Sequence, residues 1–152
     1  MAAYHARLGH AHLRVRDLGR AVDFYTRFLG LTVTEEFPGA FAFLSGGPMH
    51  HEIALEAVGQ DAPLPFPGGV GLSHVAFEVP DRRSFAQAYN AVTRGGLAAA
   101  AVDHGISWAM YFNDPDGNGL EIYWDTRREA DGTARWDGRS LPLGAVRILS
   151  SL

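Results

Sequence analysis

The chain has 152 residues, long enough to bury a hydrophobic core, and its 47% hydrophobic and 20% charged residues are the composition of an ordinary soluble protein. A formal net charge of -4 gives no electrostatic reason to expect nucleic acid, and no apolar run approaches the ~18 residues of a membrane span. The absence of cysteine excludes disulfides, thiolate zinc sites and iron-sulfur clusters, and leaves nitrogen and oxygen donors, seven histidines among them, for any metal.

Met1 to Arg20 is polar, carries His and Arg, and lacks the apolar segment of a signal peptide, so the expected address is the cytoplasm. Leu8 to Val15 alternates small or apolar with polar residues, as a half-buried strand does. Asp17 then stands where a helix N-cap belongs, ahead of Leu18, Ala21, Val22, Tyr25 and Leu29 at helical spacing, and Gly30 closes the helix. Leu31 to Phe37, Ala40 to Leu44 and Glu52 to Val58 read as strands, separated by the turn signals Pro38-Gly39 and Ser45-Gly46-Gly47-Pro48. The first module is therefore βαβββ.

A stretch over about 59–70, with Pro and Gly concentrated between Ala62 and Gly69, reads as a stiff linker joining two halves of one sheet. The second module, about 71–125, repeats the first. A strand over Leu72 to Val79 leads to N-cap Asp81, a helix over Arg82 to Thr93, and strands near Leu97 to Val102, Ser107 to Phe112 and Leu120 to Trp124. The tail 126–152 is polar until Leu141 and receives no assignment.

The repeat is explicit in the residues. Leu8 to Asp17 aligns with Leu72 to Asp81 at a constant offset of 64, matching Leu, His, Val and Asp, and Tyr25 matches Tyr89 at the same offset. His10 and His74 thus hold equivalent places, while Asp114-Pro115-Asp116-Gly117-Asn118-Gly119 is a tight turn that delivers Glu121 into an apolar strand. Taken singly, a strand histidine is a half-buried residue and a strand glutamate faces solvent. Three such groups at repeat-related places point instead to a metal held by His10, His74 and Glu121, two imidazoles and one carboxylate that leave coordination positions open. His12 shares a strand face with His10 and competes with it for that role.

The segments Gly9 to Leu18 with Phe24-Tyr25 and Leu29-Gly30, Leu72 to Val79, and Asp114 to Asn118 ending in Glu121 together resemble the vicinal oxygen chelate superfamily, over about residues 8–125. The resemblance implies an α+β fold, a single domain over 1–152 in which two βαβββ modules form a curved, half-open mixed β-sheet around a metal cleft. It also implies a homodimer. The superfamily includes glyoxalase I, epimerases, fosfomycin-modifying transferases, metal-free bleomycin-binding proteins and type I extradiol dioxygenases, so the fold leaves the function open.

Three further segments resemble the extradiol catechol dioxygenases: His50 to Leu55, Asp103 to Ser107, and Tyr111 ten residues before Glu121. The resemblance implies catalytic roles for His51 as acid-base group, His104 as a lining of the substrate and oxygen pocket, and Tyr111 as hydrogen-bond donor to a catecholate. The seven residues from His104 to Tyr111 are a shorter spacing than the larger two-domain enzymes have, and turn polarity alone also accounts for His50, His51 and His104. The implied activity is ring cleavage of a catechol-type aromatic by Fe(II), with Mn(II) or another divalent ion as the other candidate, and with O2 and the small aromatic as partners rather than a nucleic acid or a membrane. Phe77, Trp108, Phe112 and Trp124 are candidate walls for the aromatic, core burial being the other reading. One alternative is a divalent-metal lyase, isomerase or transferase resembling glyoxalase I, which requires a fourth protein donor from the last strand of the first module. Glu56 and Ala54 compete for that place, since both share a strand face. Another alternative is a metal-free protein that sequesters a small molecule.

Overall fold

Leu13 and Val15 are buried while His12 and Arg14, alternating with them, are exposed, and this alternation makes Ala11–Val15 a strand, β1, with one face on the core. The computed structural model describes residues 4–152. They divide into two units, Met1–Leu64 and Pro65–Leu152, with the boundary inside the Pro- and Gly-rich stretch.

In the first unit β1 is followed by α1 (Leu18–Leu29), β2 (Thr32–Phe37), β3 (Phe41–Ser45) and β4 (Ile53–Ala57). The Asp17 carboxylate accepts from the Arg20 amide, and Gly30 takes the left-handed conformation at φ 67° that terminates the helix. Leu18, Ala21, Phe24 and Tyr25 form the buried stripe of α1. The sheet order is β1-β4-β3-β2, with β1 parallel to β4 and the other pairs antiparallel. A shift of register between Val33 and Glu35 places the extra residue Thr34 in β2.

The second unit contains β5 (Val75–Glu78), α2 (Arg82–Arg94), β6 (Ala100–Asp103), β7 (Ser107–Asn113), β8 (Gly119–Asp125), β9 (Leu141–Pro142) and α3 (Ala145–Leu149). Its sheet order is β5-β8-β7-β6-β9, with β5 parallel to β8. Asp81 caps α2 by accepting from the Ser84 amide, and α2 buries Phe85, Ala86 and Val92. Trp108, Met110, Phe112, Leu120, Ile122 and Trp124 are buried in the same unit, and Phe85 meets Trp108 edge-on. The opposite sheet face is thereby left for polar side chains.

The two βαβββ modules and both caps agree with the expectations. Four points differ. The strands form two open, separately hydrogen-bonded sheets of four and five strands rather than halves of one, because each module completes its own ladder with an internal parallel pair. β1 and β5 begin at Ala11 and Val75, so His10 and His74 each immediately precede a strand; pairing starts only where β4 and β8 supply a neighbour. Trp108, Phe112 and Trp124 are core residues between 4% and 8% exposed, which removes them as walls of a substrate site. The tail is ordered on the second unit: β9 pairs with β6, Ile148 of α3 is fully buried, and the Arg147 guanidinium lies 4.8 Å over the Trp108 ring and 2.9 Å from Asp103.

Candidate functional site

In the second unit the hydrogen-bond register sets Ala76, Glu121, Tyr111 and Ala100 side by side across β5, β8, β7 and β6, so their side chains share one sheet face. Glu121 is 9% exposed, and both carboxylate oxygens are used. Its Oε2 lies 2.9 Å from His74 Nε2, and its Oε1 accepts from the Tyr111 hydroxyl at 3.2 Å. Tyr111 in turn stands 3.0 Å from His104 Nε2. Four of the expected site residues, His74, Glu121, Tyr111 and His104, therefore form one connected cluster.

Local sequence explains how each is presented. The Asp114 carboxylate accepts from the amides of Asp116 and Asn118 and from the Asn118 side-chain amide, and Gly117 at φ 86° completes the reversal, so the turn launches β8 with Glu121 in place. Gly119 opens β8 against the backbone of residue 73, and any Cβ there would collide with the Ser73 carbonyl oxygen. That close approach seats His74 beside the strand bearing Glu121. His104 begins the β6–β7 hairpin, where its amide donates to the Ser107 carbonyl and Gly105, at φ 76°, donates to Asp103.

Burial, followed by the negative charge of Glu121 and the hydrogen bond to it, pushes the Tyr111 phenol up to about 12. Tyr111 is thus a fixed hydrogen-bond donor at neutral pH, never a base.

The first unit assembles the other two expected residues. The His10 and His51 rings lie 4.6 Å apart, His51 Nδ1 is 2.8 Å from His50 Nδ1, and His50 Nε2 is 3.3 Å from Glu35. Phe43 flanks both, 4.9 Å from the His51 ring and 5.8 Å from the His50 ring. Burial is the main cause that lowers the His51 pKa, with repulsion from His10 and His50 behind it. The lowered pKa favours the neutral imidazole, the state that accepts a proton.

His12 does not share the place of His10. It points to Glu56, 3.6 Å away, and Arg14 Nε reaches the same carboxylate at 3.2 Å. The parallel registers also resolve the competition between Ala54 and Glu56. His12 pairs with Ala54 and its repeat equivalent Ala76 pairs with Glu121, so Ala54 is the counterpart of Glu121. Glu56 is the counterpart of Tyr123.

An imidazole nitrogen and a carboxylate oxygen 2.9 Å apart match neighbouring corners of an octahedron whose bonds are about 2.1 Å, since the corners are then about 3 Å apart. A divalent cation bound here would take the place of the direct contact between His74 and Glu121. Among the described residues no three His, Asp or Glu side chains are gathered as a ready cation site. The second unit supplies this pair, and His10 lies in the first unit beside His51.

Two site residues escaped the sequence reading. Ser140 Oγ lies 2.8 Å from His104 Nδ1, and the Trp136 ring stands edge-on to His104 at 6.2 Å. A lone tryptophan in a polar, Gly-containing tail was the only signal for them. No helix among the described residues is long and apolar enough to cross a membrane.

The family model for the Glyoxalase/Bleomycin resistance protein/Dioxygenase superfamily matches residues 7–122. The chain is 34% identical over 121 residues to a catechol-2,3-dioxygenase of Bacillus subtilis, covering 80% of this chain and 42% of that protein, so it spans less than half of that relative. It is 30% identical over 125 residues to a lactoylglutathione lyase of Escherichia coli, covering 76% of this chain and 90% of the relative. Both relatives are enzymes. A crystal structure of a glyoxylase/bleomycin resistance protein/dioxygenase domain from Frankia superimposes with a TM-score of 0.66 at 24% identity, over 80% of this chain and 99% of that one, and shares its fold. With the repeated βαβββ modules and the His74–Glu121 pair, these matches identify the chain as a member of the glyoxalase, bleomycin resistance protein and dioxygenase superfamily.

Proposed function

We propose that the chain acts as a divalent-metal-dependent extradiol dioxygenase that opens the ring of a catechol-type aromatic, with Fe(II) as the preferred ion, Mn(II) as the alternative, and a homodimer as the working form. The observation that carries this reading is Ala54. A lyase resembling glyoxalase I requires a donor at the first-module counterpart of Glu121, and that position holds a methyl group. Glu56, the only other candidate, is engaged by Arg14 and His12. A donor set of His10, His74 and Glu121 without a fourth member keeps exchangeable positions for two substrate oxygens and O2. The catechol-2,3-dioxygenase relative supports the same choice.

When bound, Fe(II) supplies a path for electrons from a catecholate to O2. The protein groups do the rest. His51, kept neutral by burial and by its histidine neighbours, takes a catechol proton and later returns it. Tyr111 stays protonated, and its one hydrogen, given to Glu121 in the free protein, turns to a substrate oxygen in the complex. His104, hydrogen-bonded to Tyr111, lines the place where substrate and O2 meet.

The test is anaerobic loading with Fe(II), addition of a panel of catechols, and admission of air. Ring cleavage appears as a yellow product with matched oxygen uptake, and absence of both across the panel overturns the reading. The lactoylglutathione lyase relative, spanned over nine-tenths of its length, favours a second reading: lyase chemistry without O2. Formation of lactoylglutathione by the metal-loaded protein under anaerobic conditions would establish it. Sedimentation giving only a 16.5 kDa species would refute the dimer.

A further inference from the structure

We propose that Ser140, in the segment after the second module, is a positioning residue of the site: it donates to Nδ1 of His104 and so stabilises the tautomer that the hydrogen-bond chain from His104 through Tyr111 to Glu121 requires.

The match to the family model ends at residue 122, so this segment is a feature of the chain beyond the shared repeat. It is bound to the His104 hairpin at several points. Thr126 Oγ1 and the Thr133 amide both donate to the Gly105 carbonyl at 2.9 Å, and the Thr126 amide donates to Ile106 at 3.0 Å. Trp136 Nε1 donates to the Arg139 carbonyl at 2.7 Å, closing the loop that stands the Trp136 ring edge-on to His104. Immediately after Ser140, Leu141 pairs with Asp103 in the β9–β6 ladder, and the Leu143 amide donates to Ala101. Ser140 is therefore anchored one residue from a strand pair that ends one residue before His104. Its Oγ sits 2.8 Å from His104 Nδ1 as a result.

Counting protons gives the chain its direction. A phenol has one hydrogen, and Tyr111 donates it to Glu121 Oε1, since an ionised carboxylate only accepts. The Tyr111 oxygen, 3.0 Å from His104 Nε2, must then accept, so Nε2 carries the imidazole proton. In a neutral ring Nδ1 is bare and accepts from the Ser140 hydroxyl. The sequence of donors is Ser140 to His104 to Tyr111 to Glu121. Without the serine hydroxyl Nδ1 loses its donor and the Nε2-protonated ring loses that stabilisation; a ring that moves its proton to Nδ1 leaves Nε2 to compete with Glu121 for the Tyr111 hydrogen. The consequence for catalysis rests on the dioxygenase reading; the tautomer itself does not.

The test uses the full chain with 15N-labelled histidine, metal-free, at a pH where imidazole is neutral, with the His104 resonances assigned from their loss in His104→Gln. The wild type should show Nε2 protonated and Nδ1 unprotonated. Ser140→Ala should shift both resonances toward the average of the two tautomers, and Ser140→Thr, which keeps the hydroxyl, should restore the wild-type pattern. A wild type protonated on Nδ1, or a Ser140→Ala protein with unchanged resonances, overturns the proposal. In the Fe(II)-loaded protein Ser140→Ala should lower kcat about 10-fold with KM nearly constant, and Ser140→Thr should recover it. An unchanged kcat beside a ring-cleaving wild type also overturns it. If the wild type cleaves no ring, the dioxygenase reading fails and the resonances still decide the role of Ser140.

Discussion

His74 Nε2 and Glu121 Oε2 stand 2.9 Å apart, coupling an imidazole to a carboxylate beside the start of β5. A cation seated between them gains two donors at once, so removing either side should abolish tight binding. His74→Ala and Glu121→Ala are expected to purify without bound metal, while Glu56→Gln, altered at a carboxylate paired with Arg14 and His12, should keep the wild-type stoichiometry. Elemental analysis of protein purified without chelators measures this, and metal loss in Glu56→Gln would restore the four-donor alternative.

Gly119 holds His74 in that pair by letting the backbone at Ser73 approach β8 without an intervening Cβ. Gly119→Ala forces the strand ends apart, an overpacking that costs about 1–3 kcal/mol. Urea unfolding should show the lower midpoint, and metal affinity should fall with it because His74 moves with residue 73. A Gly119→Ala protein of wild-type stability would mean that the β5 entry gives way freely.

What the sequence makes legible follows the range of the forces involved. Asp17, Gly30 and Asp81 act on amides a few residues away, so caps and helices were readable. The repeat carried His74 and Glu121 to one place because matched modules fold alike, and the spacing of Tyr111 to Glu121 is a cross-strand pair of one hairpin. Ala54 and Glu56 could not be separated, since parallel register is fixed by pairing between strands some forty residues apart in the chain, which local pattern does not encode. Ser140 was invisible for the same reason: its role comes from a two-residue strand docking on β6.

His51 is kept neutral chiefly by burial, and His10 and His50 add repulsion against its protonation. Its pKa is lowered in the folded state, so the fold binds fewer protons at this site than the unfolded chain does as pH falls below the ordinary histidine range. The stability held at neutral pH is lost across that window, and the acid limb of kcat/KM should lie below it too. His51→Ala should remove that limb and lower kcat by roughly 10²-fold or more, the usual contribution of a general acid-base group, while leaving metal content intact. Retention of wild-type kcat in His51→Ala would move the acid-base role elsewhere.

Tyr111 can be titrated by its phenolate absorbance against the background of four other tyrosines. With its phenol raised to about 12 by burial and by Glu121, Tyr111 should ionise after an ordinary tyrosine does, near 10, when phenolate absorbance is followed against pH. The sign for stability is definite: the raised value means that the folded state holds its proton more tightly, so the stabilisation is complete below pH 10 and disappears as pH rises toward 12. Tyr111→Phe should lose one phenol's worth of the late absorbance and show a flatter fall of melting temperature through that interval. At neutral pH the same variant keeps the ring but not the donor, so kcat should drop by about 10–100-fold with little change in metal content. Tyr123, whose pKa is also raised by burial and by its hydrogen bond to Glu78, keeps its own late contribution, so an undiminished late amplitude in Tyr111→Phe would refute the raised value of Tyr111.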